Sequence, residues 1–272
     1  SDKRSKSGKR SKSNKFVPPG TNAVRSPCPA INTLANHGFI NRDGKDIKMT
    51  DLAQALEDVF RVSAQTLTNG PVAGAITLGL TTKDDDGADI ISIDSLFTSP
   101  DAQEHHSSFI REDSNQMVDD REPSASLITS FLDSTTRAIL QPYEIMQYQR
   151  QRIKDSCDRQ GVMERTYTTG QRNGMAIQGA LLFVLAQAKE ETAFLHLNKA
   201  NLRSIVELET LPDNFNPDAN AFFDFSAGSP SDMIRDAFRL NVQVAICNFC
   251  TPNINCPDEM DQSFLLEKSF GR

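Results

Sequence analysis

The chain has no tryptophan and only 3 tyrosines against 16 phenylalanines, so aromatic burial falls to phenylalanine. No apolar run approaches the roughly twenty residues needed to cross a bilayer. The most apolar stretch, Gly179 to Ala188, is short and ends in Lys189-Glu190-Glu191, so no membrane span is expected. Asn-x-Ser/Thr sequons are absent, which removes N-glycosylation. Gly-x-Gly-x-x-Gly, the P-loop and His-Glu-x-x-His are absent too, which sets aside the usual nucleotide-binding and zinc-hydrolase motifs. No internal repeat is visible. Histidine is scarce, with 4 in the chain, and two of them adjoin at His105-His106.

The 272 residues, 38% hydrophobic and 24% charged, describe an ordinary globular chain large enough for one substantial core or two small ones, and one domain with an arm fits best. The net charge of −7 is unevenly placed: residues 1–15 carry seven Lys or Arg against one Asp, a net +6, which leaves −13 on the rest. An acidic body argues against nucleic acid as principal partner. The basic arm alternates Lys and Arg with Ser and Gly and cannot bury a core, so disorder is expected there, with attachment to nucleic acid or an anionic surface as the alternative. The expected organisation is a basic arm over 1–19, a helical domain over 20–250 and an irregular tail over 251–272. The five cysteines are Cys28, Cys157, Cys247, Cys250 and Cys256. Cys247-Asn-Phe-Cys250 with Cys256 is open to three readings: a zinc knuckle short of a ligand, a disulfide, or thiols.

Along the chain, Asn41-Arg42-Asp43-Gly44 reads as a turn. Thr50 is placed to cap an amphipathic helix whose Leu52, Ala55, Leu56, Val59 and Phe60 share a face. A second apolar helical stretch, Ala64 to Leu80, carries a break near Asn69-Gly70-Pro71, and Ile90 to Phe97 is ambiguous between strand and helix. Helices are expected over Ser124–Thr136, Tyr143–Gln160, Gly174–Lys189 and Lys199–Glu209, with a last one capped by Ser231 and running to about Val244. The fold class is mainly α, in a single domain.

Arg25 to Gly38 reads Arg-Ser-Pro-Cys-Pro-Ala-Ile-Asn-Thr-Leu-Ala-Asn-His-Gly. Small and apolar residues at helical spacing follow Pro29, and Gly38 can end the helix. Cys28 therefore sits at a helix start, where free N–H groups and partial positive charge favour a thiolate. Such a sulphur can ligate a metal; the other reading is a small buried hydrophobe. The stretch resembles the proximal motif of the haem-thiolate peroxidases, the family of fungal chloroperoxidase and the unspecific peroxygenases. The resemblance makes Cys28 the axial ligand of haem b, with Arg25 and Pro29 beside the cofactor.

A second cluster, Glu104-His105-His106-Ser107-Ser108-Phe109-Ile110-Arg111-Glu112-Asp113, is by its residues alone either a metal site or a solvated polar loop. It is similar to the family's Glu-His-Asp-x-Ser-x-x-Arg-x-Asp, which implies that Glu104, the His105 carbonyl and Ser108 bind magnesium or manganese. Arg111 and Asp113 match that pattern, while His106 stands where the family has an acid. The family's distal catalytic Glu has no counterpart: Ile177, followed by Gln178, occupies the matching position, and no carboxylate occurs between Glu164 and Glu190. Three explanations stand open. The matching helix lies elsewhere, or acid–base work has moved to His105 or His106, whose ordinary pKa suits it, or the protein binds haem and is a poor peroxidase.

Catalytic candidates are thus His105, His106 and Gln178, and Phe109, Ile177, Ala180 and Leu181 are candidates to line an apolar pocket. Glu209-Thr210-Leu211-Pro212 is a looser match to the family's Glu-Arg-Leu-Pro. His37 and His196 read as structural. The resemblance implies a secreted peroxidase or peroxygenase that uses hydrogen peroxide, through a ferryl oxidant, on small organic molecules or halides. A non-catalytic haem sensor or carrier on the same scaffold is the alternative.

Overall fold

A computed structural model describes residues 14–97, 107–113, 122–134, 136–140, 142–160, 172, 175–176, 178–179, 181–182, 197–213, 215–216 and 230–250. The protein is mainly α. The first helix, α1 (Pro29–Asn36), begins where Pro29 supplies a preset φ and needs no N–H partner, with Cys28 as N-cap in extended geometry. It ends in a Schellman motif: Phe39 N–H reaches Leu34 O at 2.9 Å and Gly38 N–H reaches Ala35 O at 3.0 Å, with Gly38 at φ +72°. The expected turn at 41–44 forms. Gly44, at φ +78°, lies where a Cβ would stand 2.4 Å from Val24 O, so the chain leading to Cys28 packs directly on this turn.

Next come β1 (Ile47–Lys48) and α2 (Met49–Phe60). The N-cap of α2 is Lys48 rather than Thr50, because the extended β1 ends there and its backbone turns straight into the helix. Leu52, Ala55, Val59 and Phe60 are buried as their spacing requires. The stretch after it bends without breaking: α3 (Ala64–Leu67) continues through a π turn, Thr68–Val72, into α4 (Ala73–Thr77). Pro71 has no N–H to give an α-helical ladder, and the wider turn accommodates that loss. The ambiguous segment is both things in succession, with β3 (Asp89–Ile91) followed by a 3₁₀ helix, Ile93–Phe97. Strand β3 is central in an antiparallel sheet with β1 and β2 (Thr82–Lys83), in register Ile47↔Ile91 and Thr82↔Ile90.

Helix α5 (Ala125–Leu132) is capped by Ser124, whose hydroxyl accepts from Leu127 N–H. Strand β4 (Ile139–Leu140) leads to α6 (Pro142–Gln160) and pairs with β5 (Leu197–Asn198), Leu140 opposite Leu197. The Asn198 side chain then caps the helix Lys199–Val206 by accepting from Ala200 and Asn201 N–H. The last helix runs Pro230–Phe249, starting one residue before Ser231 with proline in its first turn and extending past Val244.

The last helix and α6 lie side by side and parallel. Asn241 meets Met146 O, Gln149 and Arg150 at one level. Cys157 and Cys250 are joined by a disulfide at another, with Cα atoms 5.4 Å apart. Cys28 and Cys247 take no part in that bond; Cys256 lies outside the described residues. The segment containing Arg172 is helical at its described positions through Leu182, and it packs on the last helix where Gly179 admits the Phe238 ring. The main core gathers Leu34, Phe60, Ile93, Phe131, Leu132, Ile145, Leu202 and Phe238. No helix of the described residues is long and apolar enough to cross a membrane.

Candidate active site

Cys28 is half-buried and packs against the main core from the edge. Three short segments far apart in sequence fix its loop. The first is α1 itself. Ser26 Oγ accepts the Cys28 N–H at 3.0 Å, and Asn32 Oδ1 accepts the Ser26 N–H at 2.7 Å while its amide group donates to Ser26 O at 2.8 Å. Asn32 is a polar residue on a buried face, and that face belongs to the Cys28 loop rather than to water. Arg25 donates to Val24 O, Arg42 O and Asn36 Oδ1, at 2.6, 3.2 and 2.6 Å. Its Nε is buried with no hydrogen-bond partner, and burial lowers its pKa against the pull of Glu209 and Asp43.

The second segment is Ser107–Asp113, every described member of which is buried except Glu112. Arg111, 1% exposed, crosses to the Cys28 loop and donates from Nε to Pro27 O at 2.8 Å, with Nη2 3.5 Å from Ser26 O. A buried guanidinium on the carbonyl preceding the cysteine ties that loop to the Ser107–Asp113 segment. Arg152 of α6 in turn holds this segment, donating to Ser108 O at 2.8 Å and to Arg111 O at 3.2 Å. Asp113, fully buried, accepts Ser107 N–H at 2.8 Å and the Ser156 hydroxyl, and lies 3.8 Å from Arg152.

The third segment is Glu209–Leu211. Glu209 Oε1 accepts from Asn32 Nδ2 at 2.6 Å and its backbone O from Asn36 Nδ2 at 3.1 Å. Burial raises the Glu209 pKa, opposed by the Asn32 hydrogen bond and by Arg111 and Arg25. His37, at the end of α1, is structural as expected. Its Nε2 accepts Leu211 N–H at 3.1 Å and lies 3.0 Å from Thr210 Oγ1, so the proton belongs on Nδ1, which faces Asn14 O at 2.8 Å.

Of the residues singled out in the sequence, the fold brings together Arg25, Cys28, Pro29, Arg111 and, through its carbonyl on Arg152, Ser108. Ser108 Oγ accepts from Ile110 and Arg111 N–H, both at 3.3 Å. Phe109 lies in the core: its ring stacks on Tyr148 and meets Phe131 at a tilt of 58°, with centroids 6.0 and 5.1 Å away. Tyr148, its hydroxyl donating to Leu127 O at 2.9 Å, is pushed by burial up to about 12 and stays protonated. Gln178 is half-buried on the Arg172–Leu182 segment. Glu104, His105, His106, Ile177, Ala180 and His196 lie outside the described residues. Among the described residues no group of three His, Cys, Asp or Glu is gathered for a metal ion.

Asn32, Arg152 and Glu209 were not assigned a role from sequence. The usable signal for Asn32 was polarity within an apolar helical face, and for Glu209 the loose match of Glu209-Thr210-Leu211-Pro212 to a family motif, which did not name its partner; Arg152 gave none, its Ser108 and Arg111 partners lying 44 and 41 positions away.

Chemically, the arrangement offers a sulphur at a helix N-terminus, one buried and one half-buried guanidinium on the loop that carries it, and a buried donor atom on Arg25. A thiolate would be favoured there, and an anionic group of a bound cofactor would satisfy Arg25 Nε. Over 125 residues, 43% of the chain, the sequence is 31% identical to the chloroperoxidase of Leptoxyphium fumago, the alignment covering 33% of that protein. Over 45 residues, 16% of the chain, it is 44% identical to the dothistromin biosynthesis peroxidase dotB of Dothistroma septosporum, covering 11% of that protein. The chain thus spans about a third or less of the length of these relatives. The family model described as peroxidase, family 2, matches residues 14–220, which include all three segments around Cys28, and the chain belongs to that family.

Proposed function

We propose that the protein is a haem-thiolate peroxidase or peroxygenase, with Cys28 as the axial thiolate. The observation that carries this reading is the double clasp on the cysteine loop, Asn32 on Ser26 and Arg111 on Pro27 O, which holds one sulphur at the start of α1. Bound haem would supply an electron-rich iron at which hydrogen peroxide is cleaved. Arg25 Nε is the buried donor offered to an anionic edge of the cofactor. Ser108, with Glu104 and the His105 carbonyl, forms the proposed magnesium or manganese site, an oxygen-rich set suited to a hard cation.

His105 and His106 are proposed to take the proton from peroxide and return it to the leaving oxygen, with Gln178 as a further candidate. Ile177, Ala180 and Leu181 are the apolar residues proposed to meet the substrate, which fits small organic molecules, with halides as a further class. A secreted location accords with the Cys157–Cys250 disulfide, since such bonds persist in oxidising compartments.

The test is spectroscopic. The protein is loaded with haem, reduced and exposed to carbon monoxide; thiolate ligation gives a strongly red-shifted Soret band, and Cys28→Ala abolishes it. An unshifted band in the unaltered protein overturns the reading. A second reading, a non-catalytic haem carrier, is favoured by Ile177 where the family has its distal Glu. Turnover of a phenol or thioether with peroxide separates the two, because a carrier shows the band and no turnover.

A further inference from the structure

Residues 1–15 contain no apolar side chain, and they hold both Lys-Arg pairs of the chain, Lys3-Arg4 and Lys9-Arg10. Elsewhere in the sequence no Lys or Arg adjoins another. Composition of this kind gives a segment nothing to bury, which is the condition under which chain termini are cut by proteases.

From Asn14 onward the chain is held. His37 Nδ1 donates to Asn14 O at 2.8 Å, Arg42 Nη2 donates to Lys15 O at 3.2 Å, and Val17 N–H donates to Asn36 O at 2.9 Å. The Phe16 ring meets the His37 ring edge-on, with centroids 5.8 Å apart. Residues 14–17 are thus pinned to the end of α1 and to the turn after it, and Arg42 is itself tied to Asn36 O. Cutting Lys15–Phe16 requires these contacts to open first, so the rate there is lowered by the small population of the opened state. The Arg10–Ser11 bond lies upstream of every one of them, with Ser11, Lys12 and Ser13 in between. Of the two pairs, Lys9-Arg10 follows the neutral Ser7-Gly8, whereas Asp2 adjoins Lys3 and is repelled by the carboxylates of any cleft that selects two cations.

We propose that Lys9-Arg10 is a processing site for a dibasic-specific endoprotease, whose acidic subsites take the two cationic side chains, and that the hold on residues 14–17 is the stop that keeps trimming away from the folded body. Water adds across the Arg10–Ser11 peptide bond, leaving a carboxylate on Arg10 and a new amine on Ser11. The released piece carries five Lys or Arg and one Asp, a net +4, so the chain passes from −7 to −11. The proposal takes only the secretory route from the reading above, and haem has no part in it.

The test uses the full chain. Purified protein is digested with a subtilisin-like endoprotease specific for Lys-Arg and, separately, with trypsin. New N-termini are timed by mass spectrometry, beside a synthetic peptide of residues 1–20 and the Arg42→Met variant. The Lys-Arg protease should make Ser11 the new N-terminus within about threefold of the peptide rate, and the product should melt within about 1 °C of the uncut chain. Trypsin should cut Lys15–Phe16 about tenfold or more slowly in the protein than in the peptide, and Arg42→Met should recover at least half of that loss. The wild-type ratio decides even where Arg42→Met does not fold. Slower cutting at Arg10–Ser11, a first cut after Arg4, a product that melts several degrees lower, or a Lys15–Phe16 bond as labile as in the peptide each overturns the proposal. In a secreting host cell that carries such a protease, the wild type should emerge beginning at Ser11 and Arg10→Ala should retain Lys9; a wild type that emerges with Arg10–Ser11 intact overturns the assignment. Failure to enter the secretory route would count against the secreted location and leave the digests to judge the site.

Discussion

Replacing Arg111 by methionine removes the clasp on Pro27 while keeping most of the buried volume. The structure fixes what is lost. Pro27 O, in a buried segment, loses a charge-assisted donor at 2.8 Å; the contact to Ser26 O at 3.5 Å is at the limit of a hydrogen bond and counts for little. An unsatisfied buried acceptor costs about 1–3 kcal/mol, and a hydrogen bond from a charged donor is worth about 1.5–3 kcal/mol, two descriptions of one loss that are not added. The Glu209 carboxylate also loses one of its two cations, while relief from burying a guanidinium offsets part of the cost.

The net expectation for Arg111→Met is a destabilisation of about 2–4 kcal/mol. Arg111→Lys is not a rescue, because an ammonium cannot direct an Nε–H along the same line. The assay is urea unfolding followed by far-ultraviolet circular dichroism at neutral pH, with Cys28 alkylation as a local probe. A methionine variant within 1 kcal/mol of wild type, with unchanged Cys28 reactivity, would refute the claim that Arg111 holds the cysteine loop.

Two further outcomes follow from the same coordinates. The Cys157–Cys250 bond closes a separation of 93 residues, so replacing both cysteines by serine should cost about 4–5 kcal/mol in urea unfolding; a loss under 1 kcal/mol would mean that the packing of the two parallel helices alone fixes their register. The raised Glu209 pKa is a stability statement with a definite sign: its contribution is full below the ordinary carboxylate range and is lost as pH rises through the folded value. The unfolding free energy of wild type minus that of Glu209→Gln should therefore fall from about pH 4 towards neutrality, and a difference that is flat or rises is incompatible with the burial seen here.

Local signals were legible wherever the chain makes its own partners. The helix start at Pro29 after Cys28, its stop at Gly38, the 41–44 turn and the helix beginning at Ser124 all depend on interactions within a few residues, and each was read from sequence. The strands were not, since pieces of two or three residues carry no alternation to detect. Thr50 and Ser231 are plausible caps displaced by one or two positions, by the end of β1 in the first case and by Pro230 in the second. In the site, Cys28 announced itself, and Arg111 and Asp113 could be matched to a pattern without any hint of their targets. Glu209 and Asn32 meet across 177 positions, and nothing local in either stretch encodes that encounter.

The separation of the three segments also bears on the order in which the protein is made. Cys28 and α1 leave the ribosome early, Arg111 follows more than eighty residues later, and Glu209 comes nearly a hundred after that. Until Arg111 emerges the cysteine loop has only the Asn32 clasp of its own helix, and the Glu209 contact to the Asn32 amide is the last of the three to become available. A product truncated before Glu209 would carry the cysteine motif with its Asn32 and Arg111 clasps and lack the carboxylate and carbonyl that anchor Asn32 and Asn36.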